Sequence, residues 1–173
     1  MRHLSDLPDD EAREALRACC ASTKWVERML SQRPFKSADE ILASAERLWL
    51  DLQPSDWLEA FAAHPRIGGQ TGRRADGPTG HGPRGDAWSK SEQASVDSAS
   101  DDVKARLTQA NHDYESMFGW TYIVCATGKS AEEMLALARA RMNNPPDTEL
   151  QLAAAEQAKI TRLRLQKMLE AHS

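Results

Sequence analysis

The sequence predicts an all-α fold, a single-domain compact bundle of about seven to nine helices broken by one long glycine-rich loop. Three observations predict it. Apolar residues recur at helical spacing along almost the whole chain. Ser/Thr-x-x-Glu/Gln signatures mark one helix start after another. The single β-like segment has no second strand to pair with. At 173 residues the chain can bury one proper core and is short for two, which predicts one domain over residues 1–173.

The elements follow in order. A first helix runs from about Pro8, a good first-turn residue, with Ala12, Leu16 and Cys19 or Cys20 inward. A second starts near Ser22 with Trp25 and Met29 inward, and Pro34 ends it. Ser37 and Glu40 form a capping box ahead of Ile41, Ala45, Leu48 and Leu52, and Ser55 can cap a helix carrying Trp57, Leu58 and Phe61. That helix finishes around His64, because Pro65 disfavours helical geometry in the residue before it. Seven of the nine glycines then fall between Gly68 and Gly85, which predicts a loop. The helical pattern resumes at Ser89 with a Ser-x-x-Glu cap, is interrupted near Ser100, and continues through Val103, Leu107 and Tyr114 to a stop at Gly119. The stretch WTYIVCAT is aromatic and β-branched, yet a lone strand would leave its backbone groups unsatisfied, so an extended segment with amides available to a ligand is expected. Ser130 and Glu133 box a helix to about Met142. Thr148 and Gln151 start a last long one with Leu152, Ala155, Ile160, Leu163 and Met168 or Leu169 inward.

Composition narrows the function classes. A formal charge of −4 argues against a nucleic-acid partner, because phosphate neutralisation needs a basic surface. Arg66, Arg73, Arg74 and Arg84 are interrupted by Asp76 and Asp86 and lack aromatic residues for base stacking before Trp88. No apolar run spans a bilayer and no secretory pattern opens the chain, which predicts a cytoplasmic protein without a membrane partner. The three cysteines, two of them adjacent, form no C-x-x-C pair and read as reduced, buried thiols. The histidines at 3, 64, 81, 112 and 172 show no ligand spacing, so no metal site is predicted, and no nucleotide fingerprint is present.

Three places could bear chemistry. His64 stands between a helix end and a loop, and its unperturbed pKa suits general acid or base work; it also reads as a helix-terminal cation set against the dipole. Ser89, Glu92 and Gln93 follow the loop, where a capping box alone explains them and a helix N-terminus could also hold a carboxylate. Arg141 lies in the last turn of its helix, where it offsets the dipole or clamps a planar polar edge of a ligand.

Taken together, Trp25, Arg33-Pro34-Phe35, Asp56-Trp57-Leu58, His64-Pro65-Arg66-Ile67-Gly68, Trp88-Ser89-Lys90-Ser91-Glu92-Gln93-Ala94, Phe118-Gly119, Tyr122-Ile123-Val124-Cys125-Ala126, and Arg141-Met142-Asn143-Asn144 with Glu149-Leu150 resemble the 2-oxo-4-hydroxy-4-carboxy-5-ureidoimidazoline (OHCU) decarboxylases. The likeness runs from about residue 25 to 165, although the stretch 69–87 is longer and richer in glycine than is usual in that family. The resemblance implies an α-helical homodimer that needs no cofactor and takes a small-molecule substrate. It implies His64 as the catalytic histidine, and Glu92 is read as catalytic with it, orienting the imidazole. Pro65, Ser89, Lys90, Ser91, Glu92, Gln93, Thr121, Tyr122, Ile123, Val124, Cys125 and Arg141 would surround the substrate. Two other readings fit the same residues: a hydrolase or isomerase of a related ureide, and a non-catalytic helical interaction module whose capping boxes are merely structural.

Overall fold

The computed structural model describes residues 4–68 and 82–171, and among them the chain forms nine helices and no strand. Helix α1 (Asp9–Cys19) opens after Pro8 and buries Ala12, Leu16 and Cys19 as expected. In α2 (Thr23–Ser31) the Ser22 hydroxyl accepts the Trp25 N–H, and in α3 (Ala38–Leu50) the Ser37 hydroxyl accepts the Glu40 N–H at 3.1 Å. Helix α4 (Pro54–Ala62) precedes His64 by two residues. After α5 (Gly82–Glu92) and the single turn α6 (Ala94–Asp97), Ser100 caps α7 (Asp101–Phe118). Gly119 ends α7 with φ at +84°, a left-handed conformation that glycine adopts without steric cost. Ser130 and Glu133 form the expected reciprocal box on α8 (Ala131–Arg141), and α9 (Pro146–Glu170) closes the chain.

Four expectations are corrected. Ser55 does not cap α4: Pro54 already has the φ of a first helical residue, and the Asp56 carboxylate reaches back to the Gln53 N–H at 3.0 Å. The glycine-rich loop is shorter than predicted at its far end, because Gly82-Pro83 starts a helix and residues 82–87 belong to it; residues 69–81, and with them any lid role for that stretch, lie outside the described residues. Ser89 therefore sits in the last turns of α5, where its carbonyl accepts the Gln93 N–H, and Ser89-x-x-Glu92 is not a capping box. Finally, α9 begins at Pro146, and two of its expected inward residues face outward while polar ones are buried. Leu152 is 38% exposed and Ala155 is exposed, whereas Ala153, Glu156, Gln157, Ile160, Thr161 and Arg164 are buried. Ile160 and Met168 do face inward, and Leu163 and Leu169 pack against the larger cluster, as expected.

Two apolar clusters make up the interior. The larger lies among α1, α2, α3, α4 and α9 and centres on Trp25, Met29, Trp49 and Phe61. The smaller lies between α7 and α8, around Leu107, Tyr114 and Met134. Residues 121–126 run between them without regular structure. Ile123 and Cys125 fill the first cluster, while Tyr122, Val124 and Ala126 fill the second. That two-residue alternation is the strand-like signal of the sequence, produced by a segment buried on both sides. Side chains hold part of its backbone: Glu156 Oε2 accepts the Cys125 N–H at 2.8 Å, Arg141 Nη1 donates to the Ile123 carbonyl at 2.7 Å, and Lys129 Nζ donates to the Cys125 carbonyl at 2.8 Å. No helix among the described residues is long and apolar enough to cross a membrane.

The orientation of α9 is testable by a pair of substitutions. Leu152→Ser should change stability by no more than about 0.5 kcal/mol, and Ile160→Ala should cost about 2–5 kcal/mol, both read from urea unfolding curves.

Candidate active site

His64 follows the last turn of α4, its N–H bonded to the Phe61 carbonyl, and its half-buried ring faces α9. There Gln157, fully buried, brings Oε1 to 2.6 Å from His64 Nε2. The far end of the same carboxamide donates to Thr161 Oγ1 at 3.1 Å, one helical turn further on. Pro65, partly buried, follows directly and fixes the departure of the chain from α4.

Two turns along α9 from Gln157, Arg164 is wholly buried and gathers α5 around it. Its Nε donates to Glu92 Oε1 at 3.0 Å, and its Nη2 donates to Glu92 Oε2 and to Ser89 Oγ, both at 2.8 Å. The spacing that suggested a cap thus places Ser89 and Glu92, three residues apart, on one inward face of α5. Lys90 and Ser91 lie on the exposed face of that helix, and Gln93 is partly buried at the start of α6. Ser89 to Gln93 therefore does not form an open helix N-terminus; the Ser89 and Glu92 side chains face inward to Arg164 instead.

Arg141 and the 121–125 segment also differ from the expected open clamp. Arg141 is 6% exposed; its Nε and Nη2 donate to Glu149 Oε1 at 2.8 and 2.5 Å, and its Nη1 holds the Ile123 carbonyl. The guanidinium also stands 5.0 Å from the centre of the Tyr122 ring and 5.8 Å from that of Tyr114, in cation–π range. Burial disfavours its charge, but the Glu149 carboxylate outweighs that and raises its pKa. Arg141 therefore fixes the segment from behind. Thr121, Tyr122, Ile123, Val124 and Cys125 are all buried, Tyr122 with its hydroxyl donating to the Met134 carbonyl. Burial pushes the Tyr122 phenol and the Cys125 thiol up, so both are protonated at neutral pH.

The structure thus groups His64 with Gln157 and Thr161, and Ser89 and Glu92 with Arg164, all against one face of α9. Sequence reasoning missed Gln157, Thr161 and Arg164, although polar residues at i, i+4 and i+7 were a signal of one shared face, and it missed Glu156 beside them. Cys19, Cys20 and Cys125 are free and buried, as expected, and burial raises the Cys20 thiol to about 12.

Two outcomes follow from these contacts. Glu149→Ala should destabilise the fold by about 3–5 kcal/mol in denaturant titrations, because it leaves the Arg141 charge buried without its partner. Burial opposes ionisation of Glu156, but the Lys159 ammonium at 2.5 Å and the Cys125 N–H outweigh it and hold the carboxyl below its ordinary 4.5. Its ionised form therefore stabilises the fold above that value, and the contribution is lost as pH falls through the lowered folded value. Thermal melts should show wild type above Glu156→Gln at neutral pH, with the gap closing below about pH 4.

Comparison with known proteins is consistent over almost the whole chain. The family model described as OHCU decarboxylase matches residues 5–166. The uric acid degradation bifunctional protein TTL of Arabidopsis thaliana is 33% identical over 153 residues, covering 88% of this chain; the chain spans only 45% of that longer relative. The 2-oxo-4-hydroxy-4-carboxy-5-ureidoimidazoline decarboxylase of Haloferax volcanii is 28% identical over 168 residues, covering 95% of this chain and 93% of that protein. A crystal structure of an OHCU decarboxylase in the presence of (S)-allantoin superposes with a TM-score of 0.76 at 31% identity, covering 91% of this chain and 98% of the other. With the all-helical fold, the His64 corner and the Ser89–Glu92–Arg164 cluster in place, this chain belongs to the OHCU decarboxylase family.

Proposed function

We propose that the protein decarboxylates 2-oxo-4-hydroxy-4-carboxy-5-ureidoimidazoline to (S)-allantoin and CO2 in urate degradation, with His64 as general acid and base. Family membership supports the reaction, and the observation that supports the histidine's role is its setting. It is a half-buried imidazole at a helix end, with one nitrogen anchored to a buried carboxamide.

The substrate's own chemistry makes the step feasible. The departing carboxylate sits on a carbon that bears a hydroxyl and adjoins a carbon–nitrogen double bond. As the carbon–carboxylate bond breaks, its electron pair enters the ring and the double-bond nitrogen takes up the charge and then a proton. The hydroxyl then loses its proton to become the product carbonyl, and the neighbouring ring carbon gains one. His64 removes the first and helps deliver the second to one face, which sets the configuration of allantoin. Glu92, held at both oxygens by Arg164, belongs to the same site in this reading. The buried segment 121–125, with Pro65, Ser89 and Gln93, shapes the surrounding wall.

In the same reading the chain acts as one domain over residues 1–173, as a homodimer in the cytoplasm. The match of one family model to residues 5–166 supports the single domain.

The test generates the ureidoimidazoline from urate enzymatically and follows circular dichroism as allantoin forms. Wild-type protein should give fast, optically active product. His64→Ala should lose at least about 100-fold in rate with an unchanged melting curve. A slow racemic background unaffected by the protein would leave a helical binding module as the better description. Near-wild-type turnover by the variant would remove His64 from the chemistry.

A further inference from the structure

The mechanism above needs His64 to present a basic nitrogen to the substrate, and a neutral imidazole has only one. Which nitrogen is basic is set by the hydrogen bond at the other. The structure contains a device for that choice. Gln157 lies on α9, far from His64 in sequence, and has no solvent exposure. Its carboxamide is engaged at both ends, with Oε1 at 2.6 Å from His64 Nε2 and Nε2 donating to Thr161 Oγ1. Thr161 is itself buried. The contacts run from the imidazole inward to the core, and each link restricts the next. With the amide nitrogen committed to Thr161, the end that meets the imidazole is an oxygen, which can only accept.

We infer that Gln157 is a positioning residue for the decarboxylation: its carboxamide oxygen holds His64 as the Nε2–H tautomer and so makes Nδ1 the nitrogen that exchanges protons with the substrate. The inference rests on the acid–base reading of His64. It goes further by fixing the protonation pattern and naming the residue that imposes it. A glutamine suits this task better than a carboxylate, since a neutral acceptor orients the ring without drawing a permanent proton onto Nδ1. It also explains a fully buried glutamine on a helix face that an aliphatic side chain would otherwise fill at lower desolvation cost.

The experiment is ¹⁵N-imidazole NMR of the full chain, about two units above the unperturbed histidine pKa of about 6.5 so that the ring is neutral. His64→Ala serves to assign the resonance. Wild type should show a pyrrole-like Nε2 and a pyridine-like Nδ1. Gln157→Glu, which keeps an acceptor but adds a charge, should keep Nε2 pyrrole-like and move the protonation of Nδ1 to higher pH than in wild type. Gln157→Met, of similar length with no acceptor, should shift His64 toward the Nδ1–H form. Its kcat should fall by about 100-fold while KM changes by less than about threefold, as expected when a catalytic histidine loses the group that fixes its tautomer.

A wild-type His64 found as the Nδ1–H tautomer would overturn the inference, as would a Gln157→Met protein with unchanged tautomer and kcat. Should that variant fail to fold, the wild-type spectrum and the Gln157→Glu result decide the matter alone. Full activity in His64→Ala would instead sink the acid–base reading itself, an outcome that the tautomer measurement does not share.

Discussion

A guanidinium with no access to water is the constraint around which this molecule is arranged. Arg164 lies midway along the second half of α9, and an isolated cation there would be expelled from the fold. It is retained because α5 supplies both oxygens of Glu92 and the Ser89 hydroxyl, and because the Ala18 carbonyl near the end of α1 faces it at 3.4 Å. These partners come from α5 and α1, so three helices meet at this one side chain. The placement of α5 against α1 and α9 is thus dictated by charge satisfaction as much as by apolar contact. The same contacts bring Glu92 to the α9 face that holds Gln157 and His64. A buried ion pair of this kind adds little net stability, and its value lies in allowing few alternative arrangements.

A second buried pair repeats the logic on the other side of the molecule. Glu149, at the start of α9, accepts from Arg141 at the end of α8, and it also accepts the Tyr114 hydroxyl and an Asn144 N–H. The four residues tie α7, α8 and α9 together where Pro145 and Pro146 turn the chain. Helix α9 therefore acts as the common spine of both clusters. Its first turns organise the smaller core and its later turns organise the site.

Much of this was legible in the sequence and some was not, for identifiable reasons. Ser22, Ser100, the Ser130–Glu133 box and Gly119 announced their helix ends because a cap is a local contact and its partners are fixed by spacing alone. Ser89 and Glu92 misled for the same reason: a three-residue interval is shared by a capping box and by two groups on one helix face, and only the third partner, Arg164, distinguishes them. Leu152 and Ala155 were placed inward wrongly because hydrophobic pattern assumes an apolar interior, while this helix also buries Glu149, Glu156, Gln157, Thr161 and Arg164. The family likeness supplied His64, but not the residue that holds its ring. Gln157 becomes visible only when α4 and α9 are set side by side.

The segment from Thr121 to Ala126 carries a consequence for how such a chain can change. Its odd and even side chains belong to different cores. A single inserted or deleted residue there would exchange the two sets, pushing the Tyr122 ring toward the space that Ile123 fills and moving the carbonyl that Arg141 grips. Lineages can thus drift by substitution along this segment, each side chain adapting to its own compartment. A change in length there would disturb both compartments at once.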